Sequence, residues 1–198
     1  MTEIFHWIWT HFIEVFGALT GLIYIYFSIK EKIWLWPTGI ITSAIYIYVF
    51  FISKFYADMS LQIYYLIISI YGWIYWKKGS KKEKLPIIHT PLKIALILSV
   101  ITFILFWIMA FVLKNYTDSP VPYWDAFTTA LSITATYMLA RKYIEQWLLW
   151  IIVDSVSACL YFYKQLYATV ILFIVYTILA IAGFLQWKKI MKTQTNTI

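Results

Sequence analysis

Seven stretches of this chain run 17 to 22 residues with almost no charge, and short clusters of lysines, acids or both separate them. They cover 12–29, 34–53, 59–76, 92–113, 124–140, 144–163 and 166–187. A helix needs about 20 mostly apolar residues to cross a bilayer. The runs are continuous rather than alternating, which fits helices and excludes an outer-membrane barrel. Composition points the same way. Hydrophobic residues make up 63% of the chain and charged residues only 13%, against roughly 25% charged in a soluble domain. Lipid must therefore be the solvent for much of the surface. The expected fold class is an all-α integral membrane protein with seven transmembrane helices.

The breaks divide the chain into an outward-facing lead-in (1–11), a first three-helix unit (12–78), a cytoplasmic loop with a fourth, linking helix (79–113), a second three-helix unit (114–189) and a cytoplasmic tail (190–198). The first 14 residues lack the basic region and small-residue cleavage site of a signal peptide. Pro37 falls near the start of the second helix, where proline is tolerated. Asp58 and Asp125 sit where the third and fifth helices begin and read as caps.

Orientation follows from the basic residues. One side receives Lys30, Lys32, the lysines from 77 to 93, Arg141, Lys142 and the tail lysines, 13 in all; the other receives only Lys54, Lys114 and Lys164. By the positive-inside rule the third loop and the C-terminus are cytoplasmic and the N-terminus lies outside. The stretch KKGSKKEK at 77–84 is then a topology determinant, and no nucleic-acid partner is expected. The single cysteine, Cys159, excludes an internal disulfide. His6, His11 and His89 are poorly spaced for a metal, so neither a cofactor nor enzymatic chemistry is expected.

Sliding the chain against itself by 111 residues pairs Trp36 with Trp147, Tyr56 with Tyr167, Tyr65 with Tyr176, and Gly72 with Gly183. It also pairs Trp76-Lys77-Lys78 with Trp187-Lys188-Lys189. The repeat covers helices one to three and five to seven. Three is an odd number, so a fourth helix is needed to bring the second copy in with the same orientation. This predicts a 3+1+3 parallel repeat of the SWEET type, with a cavity near the midplane between the copies.

Polar groups at membrane depth are the best functional clue. Asp154 lies halfway along the sixth apolar run, and Trp147, Trp150 and Asp154 share one helical face at i, i+3 and i+7. Two indoles and a carboxylate suit an organic cation with a flat ring, through charge compensation and cation–π contact. The repeat sets Ser43 opposite Asp154, which adds Ser43 and its neighbour Thr42 to the candidate site. Gln62 and Tyr65 form a polar–aromatic pair on the third helix, and Thr128, Ser132 and Thr136 make a hydroxyl stripe on the fifth. Such a stripe serves either substrate contact or helix–helix adhesion.

The residues Trp36-Pro37-Thr38-Gly39-Ile40-Ile41, Lys54-Phe55-Tyr56-Ala57-Asp58-Met59, Leu61-Gln62 and Tyr71-Gly72-Trp73 resemble the first half of Pnu-type vitamin transporters. The second half agrees, with Asp125-Ala126, Arg141-Lys142 and the motif Trp147-x-x-Trp150-x-x-x-Asp154. The resemblance spans roughly 15–190. It implies a SWEET-like, commonly trimeric bundle in the bacterial cytoplasmic (inner) membrane. It further implies uptake of a cationic vitamin precursor, nicotinamide riboside or, in a sister branch, thiamine, by facilitated diffusion with trapping by phosphorylation inside. The motif assigns Trp147, Trp150 and Asp154 to substrate binding. Many nicotinamide riboside members carry Asn at its last position, where this chain has Asp154. The hydroxyl stripe suits a ribose and favours nicotinamide riboside.

Overall fold

The structure, a computed structural model, describes residues 12–52, 56–79 and 85–195. The lead-in with His6 and His11, Lys54 and most of the lysine-rich loop lie outside the described residues, as do the side chains of Glu14 and Asp58. Among the described residues there are seven helices: α1 (Phe12–Ile29), α2 (Leu35–Ile52), α3 (Tyr56–Gly79), α4 (Leu92–Tyr116), α5 (Pro122–Ala140), α6 (Gln146–Tyr163) and α7 (Tyr167–Thr195). Of these, α2, α4, α6 and α7 are long and apolar enough to cross a membrane on length and composition alone. Threonines and serines dilute α5, yet it carries nine buried residues. The chain clusters into two compact units, Met1–Trp73 and Ile74–Ile198.

In the first unit α1 closes with a left-handed residue, Glu31 (φ 49°). The Lys32 N–H donates to Phe27 C=O and the Glu31 N–H to Ser28 C=O. This 6→1 and 5→2 pair is a Schellman cap, which satisfies carbonyls left open at a helix end. Pro37 sits in the first turn of α2, where its missing N–H removes no interior bond. The ring of Trp36 lies flat against Gly72 of α3, so close that a methyl there would stand 2.5 Å from Cη2. Gly39 admits Ser69 of α3 in the same way, its added methyl 2.7 Å from Oγ.

The second unit repeats these devices 111 residues on. Lys142 (φ 57°) closes α5, with Tyr143 N–H donating to Met138 C=O and Lys142 N–H to Leu139 C=O. The ring of Trp147 lies on Gly183 of α7, a methyl there being 2.6 Å from Cη2. Gln165 (φ 58°) closes α6 with the same pair of bonds. A parallel bridge joins Ile88, ahead of α4, to the α5–α6 turn: Ile88 N–H donates to Lys142 C=O and Ile144 N–H to Ile88 C=O. Around it, Lys142 Nζ donates to Leu85 C=O at 3.0 Å and lies 4.5 Å from the Trp76 ring. Ile87 N–H donates to Gln194 Oε1 at the far end of α7.

Two expectations change. Asp125 is not the cap of α5: the helix starts at Pro122, and Val121 at the cap position makes no side-chain bond. Asp125 lies within the first turn, where its carboxylate accepts from Ser119 Oγ at 2.5 Å and pairs with Lys164 at 3.4 Å. A negative charge there still complements the helix dipole. The seventh helix also continues past residue 187 to Thr195, through the segment read as a tail.

Candidate functional site

The buried residues of α6 are Gln146, Trp147, Val153, Asp154, Ser157 and Ala158, one face of a helix whose opposite side shows Leu148 and Ile152. The turn before it is fixed from outside. Glu145 Oε2 accepts from the Thr90 N–H at 2.9 Å and from Thr90 Oγ1 at 2.7 Å, while His89 Nδ1 meets Oε1 at 2.6 Å. Burial pulls the Glu145 carboxyl upward, and the bonds from Thr90 and His89 together outweigh it and hold it below its ordinary value. The residue ahead of α6 is thus held by the segment before α4.

Asp154 is 3% exposed, at the middle of α6. Among the described residues its carboxylate makes no hydrogen bond and no ion pair. A buried charge is normally paired, because leaving it alone in a low-dielectric setting is costly. Trp150, one turn before it, is half-buried. Trp147 is enclosed, edge-on to Trp187 with ring centres 5.7 Å apart, and its Nε1–H has no hydrogen-bond acceptor among the described residues.

The other predicted site residues fall into two sets. In the second unit, Thr128, Ser132 and Thr136 do form a stripe on α5, but each hydroxyl donates to a carbonyl one turn back: Trp124, Thr128 and Ser132. Their hydrogens are therefore used within the helix. In the first unit, Ser43 is buried on α2 with Thr42 half-buried beside it, and Gln62 and Tyr65 are half-buried on α3. A cavity of about 570 Å³ lies between α4, α5 and α6, lined by Leu98, Thr102, Phe106, Leu131, Thr134 and Leu149 among others. None of Gln146, Trp150 and Asp154 lines it, and its rim residue Phe103 is 64% exposed. We read it as a lipid-facing groove apart from the polar face.

Gln146 is a further residue of this face, outside the motifs of the sequence. Its side chain is fully enclosed, yet neither Oε1 nor Nε2 has a partner among the described residues. The signal was in the repeat, which sets Gln146 opposite Leu35.

Among the described residues, seven helices, four of them long and apolar enough to cross a membrane, define a multi-pass membrane protein. Residues 11–189 match the family model described as nicotinamide mononucleotide transporter, and the chain belongs to that family. It is a transporter, not an enzyme. It is 28% identical over 201 residues to the nicotinamide riboside transporter PnuC of Escherichia coli (strain K12), covering 88% of this chain and 84% of that protein. It is 24% identical to the riboflavin/roseoflavin transporter RibM of Streptomyces davaonensis over 193 residues, 92% of this chain and 85% of that one. Its fold is that of the vitamin B3 transporter PnuC crystal structure, with a TM-score of 0.74 at 22% identity, covering 97% of this chain and 87% of the other.

Proposed function

We propose that this protein carries nicotinamide riboside across the bacterial cytoplasmic membrane. The observation that carries the reading is Asp154: a carboxylate buried at mid-helix with no partner among the described residues invites a cationic one. A pyridinium ring supplies that charge, and Trp150 offers its face one turn away. The same carboxylate argues against the mononucleotide. A phosphate would stand near Asp154, while every lysine and arginine of the chain lies at or near the end of an apolar run. A flavin, uncharged, would leave Asp154 unanswered. Trp147 we assign to holding the face, through Gly183 and Trp187. Thr128 and Ser132 keep acceptor lone pairs for sugar hydroxyls, and the first unit carries its own polar positions at Thr42, Ser43, Gln62 and Tyr65.

The reading extends to a SWEET-like 3+1+3 repeat, supported by the Schellman caps at Glu31 and Lys142 and the Trp–Gly pairs 36/72 and 147/183, all 111 residues apart. It includes an outside N-terminus and a cytoplasmic C-terminus, supported by the 13:3 division of basic residues. It also includes a trimeric assembly and facilitated diffusion by alternating access with trapping by phosphorylation, on the family resemblance. Proteoliposomes containing the purified protein should exchange labelled nicotinamide riboside without ATP, with thiamine, riboflavin and nicotinamide mononucleotide as competitors. Exchange of thiamine in preference to the riboside would overturn the substrate assignment.

A further inference from the structure

The repeat supplies an internal control for what the fold alone requires. At the positions corresponding to Gln146, Trp150 and Asp154 the first copy carries Leu35, Gly39 and Ser43. Leu35 is fully enclosed, so an apolar side chain satisfies the packing at that point of the helix. Gly39 is closed down against Ser69 of α3, and a side chain has no room there. In the second copy the same three positions, at i, i+4 and i+8, become an amide, an indole and a carboxylate on one helical face. The three departures are therefore one feature.

Among the described residues, two of the three lack partners. Asp154 has none for its charge. Gln146 is fully buried, and both its amide oxygen and its amide nitrogen are unbonded among the described residues. A buried amide left in that state loses its bonds to water with no return, whereas leucine at the same place loses nothing. A glutamine amide offers one acceptor and two donors. A primary carboxamide offers the same set, so the two can bond head to head, each donating one N–H to the other's oxygen. Gln146 and Asp154 stand about 12 Å apart along the helix, with Trp150 one turn from each. A flat ring with a positive ring nitrogen and a carboxamide on its rim matches that order of groups, with the charge toward Asp154, the ring against Trp150 and the amide toward Gln146.

We infer that Gln146 determines specificity by pairing with the carboxamide of a cationic aromatic substrate, so that α6 distinguishes a nicotinamide ring from other ring cations. The inference rests on the reading of this face as the substrate site and assigns it a further specificity residue.

The test is a set of binding isotherms on the purified full-length protein. The probes are nicotinamide riboside and the pyridinium riboside that lacks the carboxamide. Wild type should prefer nicotinamide riboside at least tenfold. Gln146→Leu, which installs the residue of the first copy, should bring the two affinities to within about twofold by weakening nicotinamide riboside alone. Retention of the tenfold preference in Gln146→Leu overturns the pairing while leaving the transport reading intact. Equal, tight binding of both ribosides by wild type overturns it as well. Failure of wild type to bind either riboside removes the substrate reading and the inference with it. Should Gln146→Leu fail to give the native oligomer, Gln146→Met, unbranched and of the same length, makes the same comparison. A merely structural glutamine would shift both affinities together.

Discussion

Removing the charge at Asp154 separates two roles that a buried acid can have. If it awaits a cation, Asp154→Ala relieves an unpaired charge, and melting in detergent should be unchanged or higher while affinity for nicotinamide riboside falls at least tenfold. A structural acid would behave in the opposite way, with a lower melting temperature and preserved affinity. The two glycines under tryptophan rings make a second residue-scale prediction. A methyl at Gly72 or Gly183 would sit 2.5–2.6 Å from the indole, so each Gly→Ala change should destabilise by about 1–3 kcal/mol through overpacking. Chemical or thermal melts would check it, and a neutral result at both would mean the rings shift freely. Asp154 was legible in the sequence because a charge inside an apolar run has few innocent explanations. Gln146 was not, because a glutamine at a helix start reads as an interfacial residue until its burial is known.

At the scale of elements, the three Schellman caps put non-glycine residues in the left-handed region, at Glu31, Lys142 and Gln165. Gln165 is exposed, so Gln165→Gly should raise the melting temperature by a few degrees, the strain relieved exceeding the added freedom of the unfolded chain. The same change at Lys142 should lower it, because that side chain is buried, holds Leu85 C=O and covers Trp76. Opposite signs from one backbone substitution would show that the side chain, not the turn, decides at Lys142. The clamp of His89 and Thr90 on Glu145 makes a pH prediction. Because the folded carboxyl is held low, its contribution to stability is present above the ordinary value of about 4.3 and is lost as pH falls through the lower folded value. Melting between pH 6 and 3 should decline less steeply for Glu145→Gln than for wild type. Helix positions were readable from the apolar runs to within three residues at most ends. The extension of α7 was not, since lysines mark where lipid ends but do not end a helix, and near its C-terminus they favour it.

For the whole molecule, the basic-residue asymmetry predicts opposite accessibility of the two sets of connections. With Cys159 changed to serine, a single cysteine at Ser119 should react with an impermeant maleimide added to intact cells, and one at His89 should react only after lysis. Labelling of position 89 in intact cells would reverse the orientation. Fold class and family were readable because the bilayer forces long apolar helices, and because motifs such as Trp147-x-x-Trp150-x-x-x-Asp154 resemble those of one transporter family along most of the chain. Long-range tertiary ties were not, because nothing local marks Ile88 as the partner of Lys142 and Ile144, or Ile87 as that of Gln194.

Those last ties bear on the order in which the molecule is made. The segment before α4 leaves the ribosome long before its partners do. Ile88 waits more than fifty residues for the turn that bridges it, and Ile87 waits 107 for Gln194. Until α7 is nearly complete, the Ile87 N–H must be served by water, which it can find only on an exposed face. The α5–α6 turn ties most of the stretch from Leu85 to Thr90, and the final turn of the last helix closes the one bond still left to water, at Ile87.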